Sequence, residues 1–334
     1  MKLATYGHGG VERAGVVRDG LVHPFDAGLP MADLIGLGLP TAMRLGRAAL
    51  TGPGVPLDDV RLRAPLQPRS IRDFVAFEEH VEGVRRGVEG VTGVPDAWFD
   101  GPTFYFANPH TVLGPADEVV FPASSAAPDF ELEVAVVVGR VGRSLSAQDA
   151  GRHVFGYTVL NDWSARDLQR REMQVGLGPA KGKDFATTLG PWIVTPDELE
   201  PYRDADGFLD LWCSASVNGR EVGSDLLSNM GWTFEALVAY ASRDSRVVPG
   251  DVLGSGTVGN GGCLAELWGR RGRQDPAPLR PGDVVTLTVE GIGSLTSTVA
   301  VGAPAVGLPP VRRRSAERAR GGAQGRRRPL VAQP

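Results

Sequence analysis

From residue 129 to residue 139 the chain reads Asp-Phe-Glu-Leu-Glu-Val-Ala-Val-Val-Val-Gly. The run is rich in β-branched residues, holds no breaker before Gly139, and reads as a strand. Side chains alternate along a strand. Phe130, Leu132, Val134, Val136 and Val138 therefore make one wholly apolar face. Glu131 and Glu133 lie together on the other, which continues as Ala135 and Val137, so both faces read as covered by protein. Two carboxylates about 7 Å apart at Cα and half out of water repel each other and drive a pKa up. A hard divalent cation with oxygen ligands relieves that repulsion. A lone Glu-x-Glu is more often a solvated pair on an exposed strand; here the rest of the chain argues otherwise.

Further strand-like runs occur near 117–121, 155–161, 191–195, 209–217, 284–290 and 295–301. Asn218-Gly219, Pro249-Gly250-Asp251 and Pro281-Gly282-Asp283 punctuate them as turns. Helical patterns are fewer, at about 76–89, 146–151, 164–174 and 232–243. Upstream, 12–17 and 20–24 read as a hairpin followed by a helical stretch over 30–50. Pro53, Pro56, Pro65 and Pro68 then mark a linker. The spacing predicts three parts: a small N-terminal domain and linker over 1–68, a catalytic domain over 69–305, and an Arg-rich, solvated tail over 306–334. Long strands with few crossover helices predict a β-rich α+β roll or sandwich rather than a doubly wound sheet. No G-x-G-x-x-G after a first strand and no P-loop supports nucleotide binding.

Composition changes this picture little. The 334 residues, 42% hydrophobic and 22% charged, are globular in character. No apolar run of about 18 residues predicts a membrane span, and the N-terminus lacks the apolar core of a signal peptide. Cys213 and Cys263 have no metal-like spacing, and the cytoplasm is the expected compartment. Residues 311–334 carry eight arginines and one acid, a charge of +7, which leaves −11 on the rest. With no aromatic residue among those arginines to stack on bases, and with an acidic body, nucleic acid is not expected as the main partner. Of 35 basic residues only Lys2, Lys181 and Lys183 are lysines. An interior lysine retained in such a chain marks a place that needs a compact ammonium.

Four other segments carry candidate chemistry. In Gly156–Gln169 a strand ends near Asn161, Asp162 and Ser164 read as helix caps, and Arg166, Gln169 and Met173 follow Asp162 on one helical face. Gly182-Lys183-Asp184-Phe185-Ala186-Thr187-Thr188 places Lys183 among small and hydroxyl residues. Arg72-Asp73-Phe74-Val75-Ala76-Phe77-Glu78-Glu79-His80 puts His80 seven residues after Asp73 at a strand-to-helix transition. Gly254-Ser-Gly-Thr257 precedes Glu266, an acid in an apolar run that needs water or a buried partner. Each segment alone reads equally well as a cap, a surface ion pair or a solvated loop.

Together and in this order they resemble the fumarylacetoacetate hydrolase family over roughly residues 70–300. The most specific part is the Glu-x-Glu strand, then Asn161-Asp-Trp-Ser-Ala-Arg-Asp-Leu-Gln169, then Gly182-Lys-Asp-Phe-Ala-Thr-Thr188 running to Pro191-Trp192. The resemblance implies a distorted β-roll catalytic domain, a small barrel-like N-terminal domain and a homodimer. It implies Asp73, Glu131, Glu133 and Asp162 as carboxylate ligands of Mg²⁺, Mn²⁺ or Ca²⁺, with Thr187 and Thr257 as further oxygen contacts to ion or substrate. It implies a His80–Glu266 dyad that activates water, and Arg166, Gln169 and Lys183 around the reacting carbonyls. The reaction implied is hydrolysis of a carbon–carbon bond in a 1,3-dicarbonyl substrate, the ion acting as Lewis acid on the enolate oxygens.

The chain departs from the family pattern at Val75 and Met173, where the diketone hydrolase proper has substrate-contacting tyrosines. A less polar or bulkier acyl chain than fumarylacetoacetate fits better. Tyr105, in an aromatic segment, is a candidate to supply a hydroxyl, as core packing is an alternative for it, and the acids beside His80 are alternatives to Glu266 as its partner. Competing functions are a decarboxylase, hydratase or isomerase of a 2-oxo acid working through the same enolate, and a binding protein whose Arg-rich tail carries the function.

Overall fold

The alternating run becomes the Leu132–Val138 strand inside a twelve-stranded mixed sheet, part of a β-rich α+β fold. This computed structural model describes residues 1–25 and 28–312. The arginines beyond Arg312, and with them most of the expected tail, lie outside the described residues.

The two faces of the run enter two different cores. Phe130, Leu132, Val134, Val136 and Val138 pack in a cluster with Cys213, Ala215, Val285, Leu287 and Val289 of a second, five-stranded sheet. Ala135 and Val137 join Leu34, Ile35, Ile71, Leu160, Leu189 and Ile193 on the opposite side. Burying each large apolar side chain is worth about 1.5–3 kcal/mol relative to exposure, so the strand is held from both sides. That leaves Glu131 and Glu133 in protein rather than in water.

Residues Met1–Ala303 form one unit. The Lys2–His8 strand pairs with Val11–Arg18 and also with Thr187–Val194, aligning Leu3 with Ile193. The N-terminal strands therefore extend the large sheet, whose order runs from Val55–Pro56 to Phe104–Ala107 without returning on itself. The barrel-like outline expected for the N-terminal segment is one flank of this open, curled sheet. The helical stretch expected over 30–50 divides into Met31–Gly36 and Leu39–Ala49. The break falls at Gly38, whose φ of 81° lies in the left-handed region that favours glycine. In the second sheet Asn218 and Gly219, with φ of 53° and 75°, join Trp212–Val217 to Arg220–Leu226 as a tight hairpin.

Candidate metal centre and active site

The candidate residues lie in one row across six strands. Thr187 pairs with Asp162, and the Asp162 backbone N–H donates to the Glu131 carbonyl. Two residues past Glu133, Ala135 pairs with Gly254; Gly254 pairs with Asp73, and Asp73 with Tyr105. In a flat sheet the strands of Asp162 and Tyr105, four spacings apart, would be separated by about 19 Å. The Tyr105 hydroxyl instead donates to Asp162 Oδ2 at 2.5 Å, so the sheet curls around this row. Gly254 lets Asp73 and Glu133 meet across its strand. A Cβ there would lie 2.6 Å from Glu133 Oε2 and 2.7 Å from Asp73 Oδ1.

Asp73, Glu131, Glu133 and Asp162 thus bring carboxylate oxygens within 4.8 Å of one another, and all four are buried. Lys183 Nζ donates to Glu131 Oε2 at 2.7 Å and to Asp162 Oδ2. Arg166 Nη2 lies 2.7 Å from Glu131 Oε1, while Arg166 Nε donates to Asp129 Oδ2 at 2.8 Å. Two cations therefore face five carboxylates. Burial raises Asp73, Glu133 and Asp162 above the usual carboxylate range, and repulsion from neighbouring carboxylates adds to it. Glu131 goes the other way: against the push of burial, Lys183 and Arg166 hold it below that range.

Asp73 Oδ1, Glu133 Oε1 and Asp162 Oδ1 are buried with no hydrogen-bond partner. An orphaned buried acceptor costs about 1–3 kcal/mol, and a cation with oxygen ligands would satisfy all three. An all-carboxylate set matches a hard divalent ion of the Mg²⁺, Mn²⁺ or Ca²⁺ kind rather than a soft one. Thr187 and Thr257 are buried, and Thr257 Oγ1 also lacks a partner, so it remains an open oxygen contact.

His80 sits on the Glu78–Val84 helix with Nε2 3.8 Å from Glu131 Oε1 and Nδ1 3.7 Å from Cys263 Sγ. Burial, opposed by Glu131 and helped by Arg166 and Lys183, pushes its pKa down to about 3, so the ring is neutral at pH 7. The expected His80–Glu266 pairing is not formed among the described residues. Glu266 Oε1 lies 2.8 Å from Arg270 Nη2, one turn along its own helix. Its side chain packs at Gly83, where a Cβ would come within 2.4 Å of Glu266 Cγ. The residues beside His80 are Glu131 and Cys263 instead.

Asp162 and Ser164 do not cap the helix, which runs Arg166–Met173 with Ala165 at its N-cap position and no side-chain cap. Asp162 ends the Val154–Asp162 strand, drawn to Lys183 and Tyr105, and the Ser164 hydroxyl donates to the Asp162 carbonyl. Counting a helical face from Asp162 is therefore invalid. Gln169 is in the site's surroundings, accepting from Arg166 Nη1 at 3.1 Å, whereas Met173 is 37% exposed. Val75 lines an apolar cavity that also touches His80.

Three site residues had no assigned role in the sequence. Asp129 is fully buried and accepts from the backbone N–H groups of Phe130, Leu264 and Ala265 as well as from Arg166, tying the Glu-x-Glu strand to the Leu264–Arg271 helix. An acid opening a run that is otherwise buried was its one signal. Cys263 caps that helix and touches His80. Gly254 is the third, its missing side chain leaving the space in which Asp73 and Glu133 approach each other.

Residues 69–300 match the family model described as fumarylacetoacetate (FAA) hydrolase C-terminal, and residues 1–65 match that described as Rv2993c-like, N-terminal. The chain belongs to the fumarylacetoacetate hydrolase family. Among members of the family, it is 30% identical over 245 residues to the oxaloacetate tautomerase YisK of Bacillus subtilis, covering 73% of this chain and 74% of that protein. It is 28% identical over 288 residues to the fumarylacetoacetase of rice, covering 70% of this chain and 66% of that protein. The crystal structure of maleylpyruvate hydrolase from Sphingobium sp. SYK-6, in complex with manganese(II) and pyruvate, superposes with a TM-score of 0.67 at 25% identity. That match covers 91% of this chain and the whole of the other. Members of the family thus include hydrolases and tautomerases on one scaffold, and the buried carboxylate cluster here suits a divalent ion.

Proposed function

We propose that this chain is a divalent-metal hydrolase that cleaves the carbon–carbon bond of an acylpyruvate-like 1,3-dicarbonyl, working as a cytoplasmic homodimer. The observation that carries the reading is the cluster of orphaned carboxylate oxygens with a neutral, buried histidine beside it. The ion, when bound, supplies a Lewis acid for the dicarbonyl oxygens. His80, uncharged, is placed to take a proton from water at Nε2 as that water bonds to the acyl carbon. As the carbon–carbon bond breaks, Lys183 Nζ and the Tyr105 hydroxyl, both on Asp162 Oδ2, are the donors placed to return a proton to the departing enolate. Arg166, fixed by Asp129 and Gln169, keeps Glu131 aimed into the cluster.

A second reading has one observation in its favour. Glu266 pairs with Arg270 rather than with His80, and Lys183 and Tyr105 alone can move a proton between the carbon and oxygen of a 2-oxo acid. Tautomerisation, decarboxylation or hydration through the same enolate would use this set, and the similarity to YisK supports tautomerisation.

Incubating metal-free protein with acylpyruvates and oxaloacetate, with and without Mn²⁺, separates the readings by product mass. Pyruvate plus the free acyl acid, lost in both Glu131→Ala and His80→Ala, is expected. Keto–enol exchange or carbon dioxide release that survives His80→Ala, with no acyl acid formed, would replace hydrolysis by the second reading.

A further inference from the structure

Beside the carboxylate cluster lies a cavity of about 270 Å³ that no role assigned so far accounts for. His80 forms part of its wall, and its Nε2 lies 3.8 Å from Glu131 Oε1, so one side chain borders both the cavity and the carboxylates. The rest of the wall is largely hydrocarbon: Val75, Val81, Val84, Ala97 and Trp98. Trp98 has its polar handle turned away, since Nε1 donates to the Val75 carbonyl at 2.7 Å. Its ring is fixed edge-on against Trp232, with centroids 4.6 Å apart. Two polar side chains join His80 on this wall: Thr103, and the charged Arg85, which donates to the Gly93 carbonyl.

We propose that this cavity takes the non-reacting arm of the substrate and selects an uncharged alkyl or aryl arm over one that ends in a carboxylate. The inference rests on the reading of the carboxylate cluster as the place where a 2-oxo acid head binds. A cavity of about 150 Å³ lined by aliphatic and aromatic side chains is enough to hold benzene, so this one has room for a phenyl ring or a chain of about six carbons. A carboxylate placed among Val75, Val81, Val84 and Trp98 loses its water, and the Arg85 guanidinium on this wall is already engaged by the Gly93 carbonyl. A methylene placed there gains about fourfold in affinity.

Oxamates test this by binding alone, because the amide bond next to the 2-oxo acid head takes no part in turnover. Calorimetry on the full chain loaded with Mn²⁺ compares oxamate, N-hexyloxamate and N-(5-carboxypentyl)oxamate. N-hexyloxamate is expected to bind at least about 30-fold tighter than oxamate, and the carboxylate-ended probe no tighter than oxamate. Val84→Phe, which fills the cavity, is expected to cut the hexyl-to-oxamate ratio below about threefold; Ala97→Phe, at another residue of the wall, gives the same measurement if the first variant does not fold. Oxamate binding with no gain from the hexyl arm, or a carboxylate-ended probe that binds best, overturns this inference and leaves the proposed function standing. No binding of any oxamate overturns both.

Discussion

Glu266 and Asp129 are both fully buried acids on either side of the same helix start, yet their surroundings treat them differently. Burial pushes the Glu266 carboxyl up to about 7, with Arg270 and the backbone N–H groups of Gly261 and Asn260 pulling it down only in part. The folded protein therefore holds a proton that the unfolded chain releases near pH 4.5. Its contribution to stability is complete below that value and is lost as pH rises through about 7. Between pH 5 and pH 8 the chain should lose about 2 kcal/mol more stability than Glu266→Gln, measured by urea unfolding at the two pH values. Parallel curves for the two proteins would mean that Glu266 is ionised throughout. Asp129 is different, because three backbone N–H groups and Arg166 all need its charge. Asp129→Asn should cost about 3 kcal/mol, seen as an earlier urea midpoint, and loss of less than about 1 kcal/mol would show that the helix and Arg166 do not depend on it.

At the scale of elements, the row from Thr187 to Tyr105 depends on what each strand leaves out as much as on what it contributes. The Val252–Gly254 strand lies between the strands of Glu133 and Asp73, and its last residue has no side chain. Gly254→Ala would push a methyl group into both carboxylates. Binding of Mn²⁺ to this variant, followed by titration calorimetry, should be at least tenfold weaker than to the unchanged chain, by analogy with lost supporting groups at other metal sites. Equal affinity would show that Asp73 and Glu133 do not share an ion. The Arg166–Met173 helix teaches a related point. Its first residue is anchored by Asp129, so it needs no side-chain cap and frees Asp162 for the cluster.

On the scale of the whole molecule, the N-terminal segment is built into the sheet that carries the site. Leu3 lies beside Ile193, and the cluster that includes Leu34 and Ile35 also holds Ala135 and Val137 from the back of the Glu-x-Glu strand. Deleting residues 1–68 would strip cover from Leu160, Leu189 and Ile193, each worth about 1.5–3 kcal/mol when buried. The shortened chain is expected to aggregate or to melt well below the full chain in size-exclusion and circular-dichroism measurements. A monodisperse product with an unchanged melting temperature would mean that the back of the sheet is stable without the N-terminal strands.

Local alternation by itself determined the Glu-x-Glu strand, its apolar face, its carboxylate-bearing face and the hairpin at Asn218-Gly219, because strand period and turn chemistry act over a few residues. The fold family was legible from motifs in their order along the chain, and the same motifs pointed to Asp73, Glu131, Glu133 and Asp162, which the structure brings together. The breaks and partners were not legible. The helix start at Arg166, the contacts of His80 with Glu131 and Cys263, the Arg270 partner of Glu266 and the clamp by Asp129 were decided by the tertiary structure alone. Those contacts join segments up to 183 positions apart, and they exist only after strand register is set across the sheet and the sheet has curled. Register and curl come from pairing and packing between distant strands, which no local pattern of residues encodes.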